Sequence, residues 1–168
     1  MKATAASKTL AIVRIATGIF FLFFAEYKLA DSVFARVTFP QQWLHDFIDN
    51  GAVGFYRLLL ERVVMPHHVF FGYAAGVVEL FIGLCLVAGI LVKPASVLGM
   101  LHMINLTLAT WWQVEHGVPV WRYFGAELDH LPLLFLFLIF YSADAGRTWG
   151  IDSLRRQSAQ SFHAVASD

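Results

Sequence analysis

Three side chains in the most apolar part of this 168-residue chain are of types that can hold or move a proton: Glu79, His102 and Asn105. Glu79 is the only formal charge between His68 and Lys93. Gly72, Gly76, Glu79 and Gly83 are spaced by four, three and four, which places them on one stripe of a helix. Small residues at that spacing mark the face where another helix approaches closely, so Glu79 is expected to point into a bundle rather than at lipid. A charge at the centre of a bilayer costs about 2.5–3.5 kcal/mol on insertion scales. The carboxyl should therefore carry a proton or be paired with a donor. His102 and Asn105 are three apart and share a face; on a helix running the opposite way they reach about the depth of Glu79. The expected pairing is Glu79 with His102 and Asn105. An acid and an imidazole beside an apolar space suit a quinone, whose carbonyls accept hydrogen bonds and whose reduction takes up protons. The same trio would also serve as an interhelical hydrogen-bond clamp, contributing about 1–2 kcal/mol.

Further polar groups fall on the neighbouring segments. Arg14, Gly18, Phe21, Ala25 and Lys28 follow one stripe of the first helix. Arg14 lies near its cytoplasmic end, where a helical side chain leaning toward the N-terminus can snorkel to the surface. Glu26 and Lys28 sit at the outer end, and Glu127, Asp129 and His130 begin the last helix. Together these form an expected outer vestibule above the midplane pair, unless they are ordinary interfacial anchors. The ligand-binding set is then Glu79, His102, Asn105, Arg14, Glu26, Lys28 and His130. No metal is assigned; Glu26, Asp129 and His130 are the weak candidates for one. Bis-histidine haem ligation does not fit, because His102 lies about 15 Å below the outer end of its helix and His130 lies near the surface.

The composition says what must position these groups. Hydrophobic residues make up 58% of the chain and charged residues 14%, against about 25% charged in soluble domains, and the mean hydropathy is +0.63. The expected fold is all-α: an integral membrane four-helix bundle in a single domain, residues 1–156. A spanning helix needs roughly 20 apolar residues, and the segments 10–29, 69–91, 95–112 and 128–141 qualify or nearly so. "VKPAS" makes a tight hairpin between the second and third, with Pro94 at a first helical position. The first apolar segment reads as a retained helix, since no small-residue cleavage site follows it.

Lys2, Lys8, Lys93, Arg147, Arg155 and Arg156 flank the ends on one side, which the positive-inside rule makes cytoplasmic, with both termini there. The segment 31–67 is too polar to span. In it, Trp43, Leu44, Phe47 and Ile48 share one helical face and Gln42, Asp46 and Asp49 the other, as in amphipathic helices lying in the interface. Trp111, Trp112, Trp121 and Tyr123 suit an aromatic belt, and 157–168 reads as a disordered tail. Net charge is zero, so no nucleic-acid surface is indicated. The lone Cys85 excludes a CxxC redox pair.

The pattern resembles the DoxX family of small four-helix membrane proteins. Arg14, Gly18 and Lys28 look like its "R…G…K" on the first helix. "VELFIGLCLVAGILVKPAS", with Glu79, Gly83 and Gly89 before a basic residue, is similar to its second-helix signature. "SADAGRTWGID", with Gly146, Arg147 and Asp152, resembles its closing "GR…D". The resemblance implies a bacterial inner-membrane protein near redox chemistry, since relatives are membrane subunits of thiosulfate:quinone oxidoreductase or are linked to sulfur and oxidative-stress complexes. It supplies no catalytic residue. Two functions are expected from these readings. One is a subunit of a larger membrane redox complex that binds quinone or another apolar ligand within the bundle. The alternative is a non-catalytic structural or assembly subunit anchoring a partner protein.

Overall fold

A computed structural model of the chain describes residues 4–111 and 127–154, with side chains from His130 onward in the second stretch. Every described element is helical. The long helices are α1 (Ala5–Leu29), α3 (His68–Ala88), α4 (Val92–Thr110) and α5 (Glu127–Ser142), and a short α2 (Gly54–Leu59) lies between the first two. Trp112, Trp121 and Tyr123 of the expected aromatic belt, the side chains of Glu127 and Asp129, and the tail 157–168 lie outside the described residues.

Local signals set the helix ends. The Thr4 hydroxyl accepts the Ser7 N–H at 3.2 Å, capping α1. α3 stops at Gly89, which takes the left-handed conformation (φ +64°) that usually ends a helix. The connection Gly89–Leu91 is so short that α3 and α4 must run antiparallel. Pro94 is the third residue of α4 rather than its first, because Val92 and Lys93 are already helical. It still lies in the first turn, where the N–H has no partner within the helix and its absence costs little.

α1 packs chiefly on α3, and α4 on α5. Edge-on rings of Phe21 and Phe137, 5.3 Å apart, close α1 against α5. The apolar core between them contains Phe21, Ile82, Leu86, Met103, Phe137 and Phe140. α1 and α3 approach through the predicted small-residue stripe: a Cβ on Gly83 would lie 2.9 Å from the Gly18 carbonyl oxygen, and one on Gly18 as close to the Val87 backbone. The outward faces stay apolar, with Phe20, Phe23, Phe70, Leu84, Leu101 and Phe135 all exposed. Among the described residues, two helical runs are long and apolar enough to cross a membrane, Ala5–Leu29 and Gly54–Ala88. The second is longer than expected because α2, a π-helical turn and a 3₁₀ turn continue directly into α3.

Residues 34–67 pack against one end of α1, α3 and α4 as a cap. Its winding is largely π-helical, over Phe34–Leu44, Phe47–Gly51 and Leu60–Val64. The amphipathic pattern holds in part: Leu44 is buried, Phe47 and Ile48 half-buried, and Gln42, Asp46 and Asp49 exposed, but Trp43 of the apolar face is exposed too. The cap has a core of its own around Leu44, Tyr56, Leu60 and Val64, joined to Ala109 of α4. Gly51 lies so close to α4 that a Cβ there would come within 2.5 Å of the Ala109 carbonyl oxygen. The Val53 N–H donates to the Leu108 carbonyl at 3.1 Å.

Candidate functional site

The two cations of the α1 stripe, Arg14 and Lys28, are both buried, at 0% and 7% exposure. Their surroundings differ. The Cα–Cβ bonds of a helix lean toward its N-terminus, so each side chain reaches back along α1. For Arg14 this leads to the end where α3 stops, α4 starts and the segment after α5 folds over. Its guanidinium donates to the carbonyls of Ala145 and Trp149, both at 2.9 Å. It packs flat on Gly89 and Gly150, where added Cβ atoms would lie 2.6 and 3.0 Å from its Nη1. Asp152 completes this end by accepting the N–H groups of Leu91 and Val92, each at 3.3 Å, at the start of α4. Arg14 therefore reaches the predicted end but does not snorkel to its surface. The closing segment covers it, and it is not among the residues that line the cavity described below.

For Lys28 the same lean carries the ammonium from the far end of α1 down to Glu79 on α3, and the two are in direct contact. This corrects the vestibule reading, which placed Lys28 above the midplane acid. His102 is the other partner, its Nε2 3.1 Å from the same carboxylate oxygen, Oε1. The second oxygen, Oε2, is buried without a hydrogen-bond partner. The rings of Phe24, Phe34 and Trp43 surround the ammonium with centroids at 5.8, 5.7 and 5.8 Å, within cation–π range.

Asn105 does not join Glu79. Its amide oxygen accepts the hydroxyl proton of Tyr56 from the cap. The expected trio is thus a Lys28–Glu79–His102 cluster with a separate Tyr56–Asn105 bond beside it. Nothing in the sequence pointed to Tyr56, because its partner is 49 residues away across the cap. The signal for Lys28 was present: it closes the stripe begun by Arg14, and its four-carbon stem spans about a helical turn.

Between cap and helices lies a cavity of about 290 Å³. Its polar wall is formed by Lys28, His102, Asn105 and Tyr56, while Phe34, Phe39, Trp43, Phe47 and Phe71 supply much of the apolar remainder. Glu79 does not line the cavity; it sits behind Lys28 and His102 and holds both. Trp43, Leu59 and Val63 line the space yet remain 38%, 43% and 42% exposed, which marks its mouth on the cap side.

The remaining predicted residues fall elsewhere. Glu26 is exposed on α1. His130 Nδ1 lies 3.3 Å from the Thr110 hydroxyl at the end of α4, away from Glu79. Among the described residues no three His, Cys, Asp or Glu side chains come together as a metal site; the Asp129 side chain lies outside them. Comparison with family models, curated proteins and solved structures returns no match to this chain.

Proposed function

We propose that the chain is a DoxX-like four-helix protein of the bacterial inner membrane that binds a quinone, or a similar neutral apolar ligand, beneath its outer cap. The observation that carries this reading is the cavity: aromatic on most sides, with its hydrogen-bonding groups gathered on one. Its volume is near the lower end of the range for small-molecule pockets, roughly 300–1,000 Å³, so it suits a ring-sized headgroup with any tail leaving through the mouth. Lys28 and Glu79 are a paired cation and anion, so the site favours a neutral acceptor; a second buried negative charge would lack compensation. A ligand carbonyl against Lys28, His102 or the Asn105 amide meets donors, and the ring meets Phe34 and Trp43.

The apolar outward faces of α1, α3, α4 and α5 support four spans, with α4 and α5 accommodated by polar groups turned inward. Lys8, Lys93 and Arg147 all belong to the Arg14 end, which supports a cytoplasmic assignment for that end and for both termini. The three motif segments behind the DoxX resemblance also converge there, through Arg14, Gly89 and Asp152. Electrons for quinone chemistry would come from a partner redox protein, in keeping with a subunit of a larger complex.

The test is extraction of protein purified in mild detergent with organic solvent, followed by quinone assay, for the wild type, His102→Ala and Glu79→Gln. Stoichiometric quinone in the wild type that falls several-fold in the variants supports the reading. Folded protein that keeps its partner but carries no quinone in any sample overturns it and favours an anchoring subunit.

A further inference from the structure

We propose that Lys28 is a carbonyl-capturing lysine, whose amine condenses with an apolar aldehyde or ketone entering the cavity to form an imine held against Glu79 and His102. The inference goes beyond the quinone reading and shares with it the cavity and its polar wall, Lys28 and His102.

The geometry separates this lysine from the other two whose placement is described, Lys8 and Lys93. Lys8 and Lys93 are exposed, whereas Lys28 is 7% exposed and lines an aromatic chamber. A lysine desolvated in an apolar pocket, with acid–base groups in contact, is the arrangement that forms Schiff bases with carbonyl substrates. Here the contacts are the Glu79 carboxylate and, through its Oε1, the His102 imidazole at 3.1 Å. A buried ion pair built only to join α1 to α3 would be expected to satisfy both carboxylate oxygens. Glu79 Oε2 is instead buried and unpartnered, leaving an acceptor free for the proton that must move during condensation.

The chemistry balances without a further reactant. The ammonium hands a proton to Glu79, and the neutral amine adds to the carbonyl carbon, forming the C–N bond. The carbonyl oxygen takes up that proton to give a carbinolamine. The amine's second proton, relayed through Glu79 or His102, lets this hydroxyl leave as water as the C–O bond breaks. Net, the ammonium and the carbonyl compound give a protonated imine and one water, with no oxidation or reduction. The product carries the same single positive charge at the same place as the ammonium. The Glu79 counter-ion and the three surrounding rings therefore suit it as they suit Lys28 itself. The apolar walls select a hydrocarbon-bodied carbonyl compound and disfavour an anionic one, which would bring a second negative charge beside Glu79.

The experiment uses the full chain in mild detergent with trans-cinnamaldehyde and sodium cyanoborohydride, quenched at intervals, with each lysine followed by peptide mass spectrometry. A parallel reaction uses glyoxylate, an anionic aldehyde. Lys28 should be alkylated by cinnamaldehyde at least about tenfold faster than Lys93, and glyoxylate should reverse that order. His102→Ala, which leaves the Lys28–Glu79 pair in place, should slow Lys28 labelling about tenfold. Labelling of Lys28 no faster than Lys93 by cinnamaldehyde, or equally fast by both aldehydes, overturns the proposal. If Lys28 stays unlabelled while quinone co-purifies, the lysine chemistry fails and the quinone reading stands. Labelled Lys28 without quinone supports the lysine chemistry and overturns the quinone reading.

Discussion

Arg14 and Lys28 occupy the same stripe of α1, about 21 Å apart along its axis at 1.5 Å per residue, and both are buried cations. One is held by main chain and the other by side chains. Arg14 donates to the carbonyls of Ala145 and Trp149 and lies against two glycines, with no room beside it. Lys28 meets a carboxylate and three rings, and its remaining side opens on a cavity. A guanidinium, planar and rich in donors, suits fixed carbonyls. An ammonium on a flexible stem suits a chamber that must accept something. The difference teaches that burial of charge alone does not mark a site, nor does an unpartnered polar atom, since Arg14 Nε and Glu79 Oε2 both have none; what matters is whether the partners leave space.

That contrast fails if the Arg14 end tolerates change. Arg14→Leu leaves two carbonyls without donors in a closed end, at about 1.5–3 kcal/mol for each hydrogen bond to a charged group. The variant should lose about 3–6 kcal/mol of unfolding free energy, measured by denaturant titration in mild detergent. No side-chain substitution should rescue it, because its partners are backbone. A loss below about 1 kcal/mol would show that this end does not hold the helices together.

The Lys28 end should behave differently. Lys28→Met strands Glu79 as a buried acid and should cost about 3–5 kcal/mol. Here rescue is expected: Lys28→Met combined with Glu79→Leu removes both charges and should return stability to within about 1 kcal/mol of the wild type. The double-mutant cycle thus separates a side-chain pair from a main-chain clasp. A double variant as unstable as Lys28→Met alone would place Glu79 in some other structural role.

Much of this was legible in the chain because period and residue size carry it. The glycine spacing around Glu79 turned that residue inward, and the α1 stripe named Arg14, Gly18, Phe21, Ala25 and Lys28, all of them buried. His102 meets Glu79 as its face and its depth on the antiparallel helix imply. What the stripe alone does not give is where along the helix axis a long side chain ends, which needs its lean and length as well. Lys28 was placed by its Cα, near the outer end, whereas its ammonium is set by the lean and length of the stem. Asn105 shares a face with His102 and reaches about the depth of Glu79, yet the cap brings the Tyr56 hydroxyl to its amide oxygen instead. The cap's docking on α4 depends on contacts between residues some 50 positions apart, such as Gly51 with Ala109, which no local period encodes.

The smallest expected effect lies where the cap is joined to α4, at the Tyr56–Asn105 bond. Tyr56→Phe removes one donor while the ring, 8% exposed in the original, keeps its packing in the cap core. The Val53 bond to Leu108 and the close seat of Gly51 on Ala109 remain to hold the cap. A neutral hydrogen bond contributes about 1 kcal/mol, so global unfolding should shift by no more than that. The local consequence should be larger than the global one. Amide hydrogen exchange should quicken across 53–64, because opening of a cap need not unfold the helices beneath it. The freed Asn105 oxygen also adds an acceptor to the cavity wall, so affinity for a ligand with a hydroxyl head should rise relative to one with a carbonyl head. If exchange quickens equally along α1 and α5, cap and helices unfold as one unit, and the cavity is an internal void of a single core rather than a space between two.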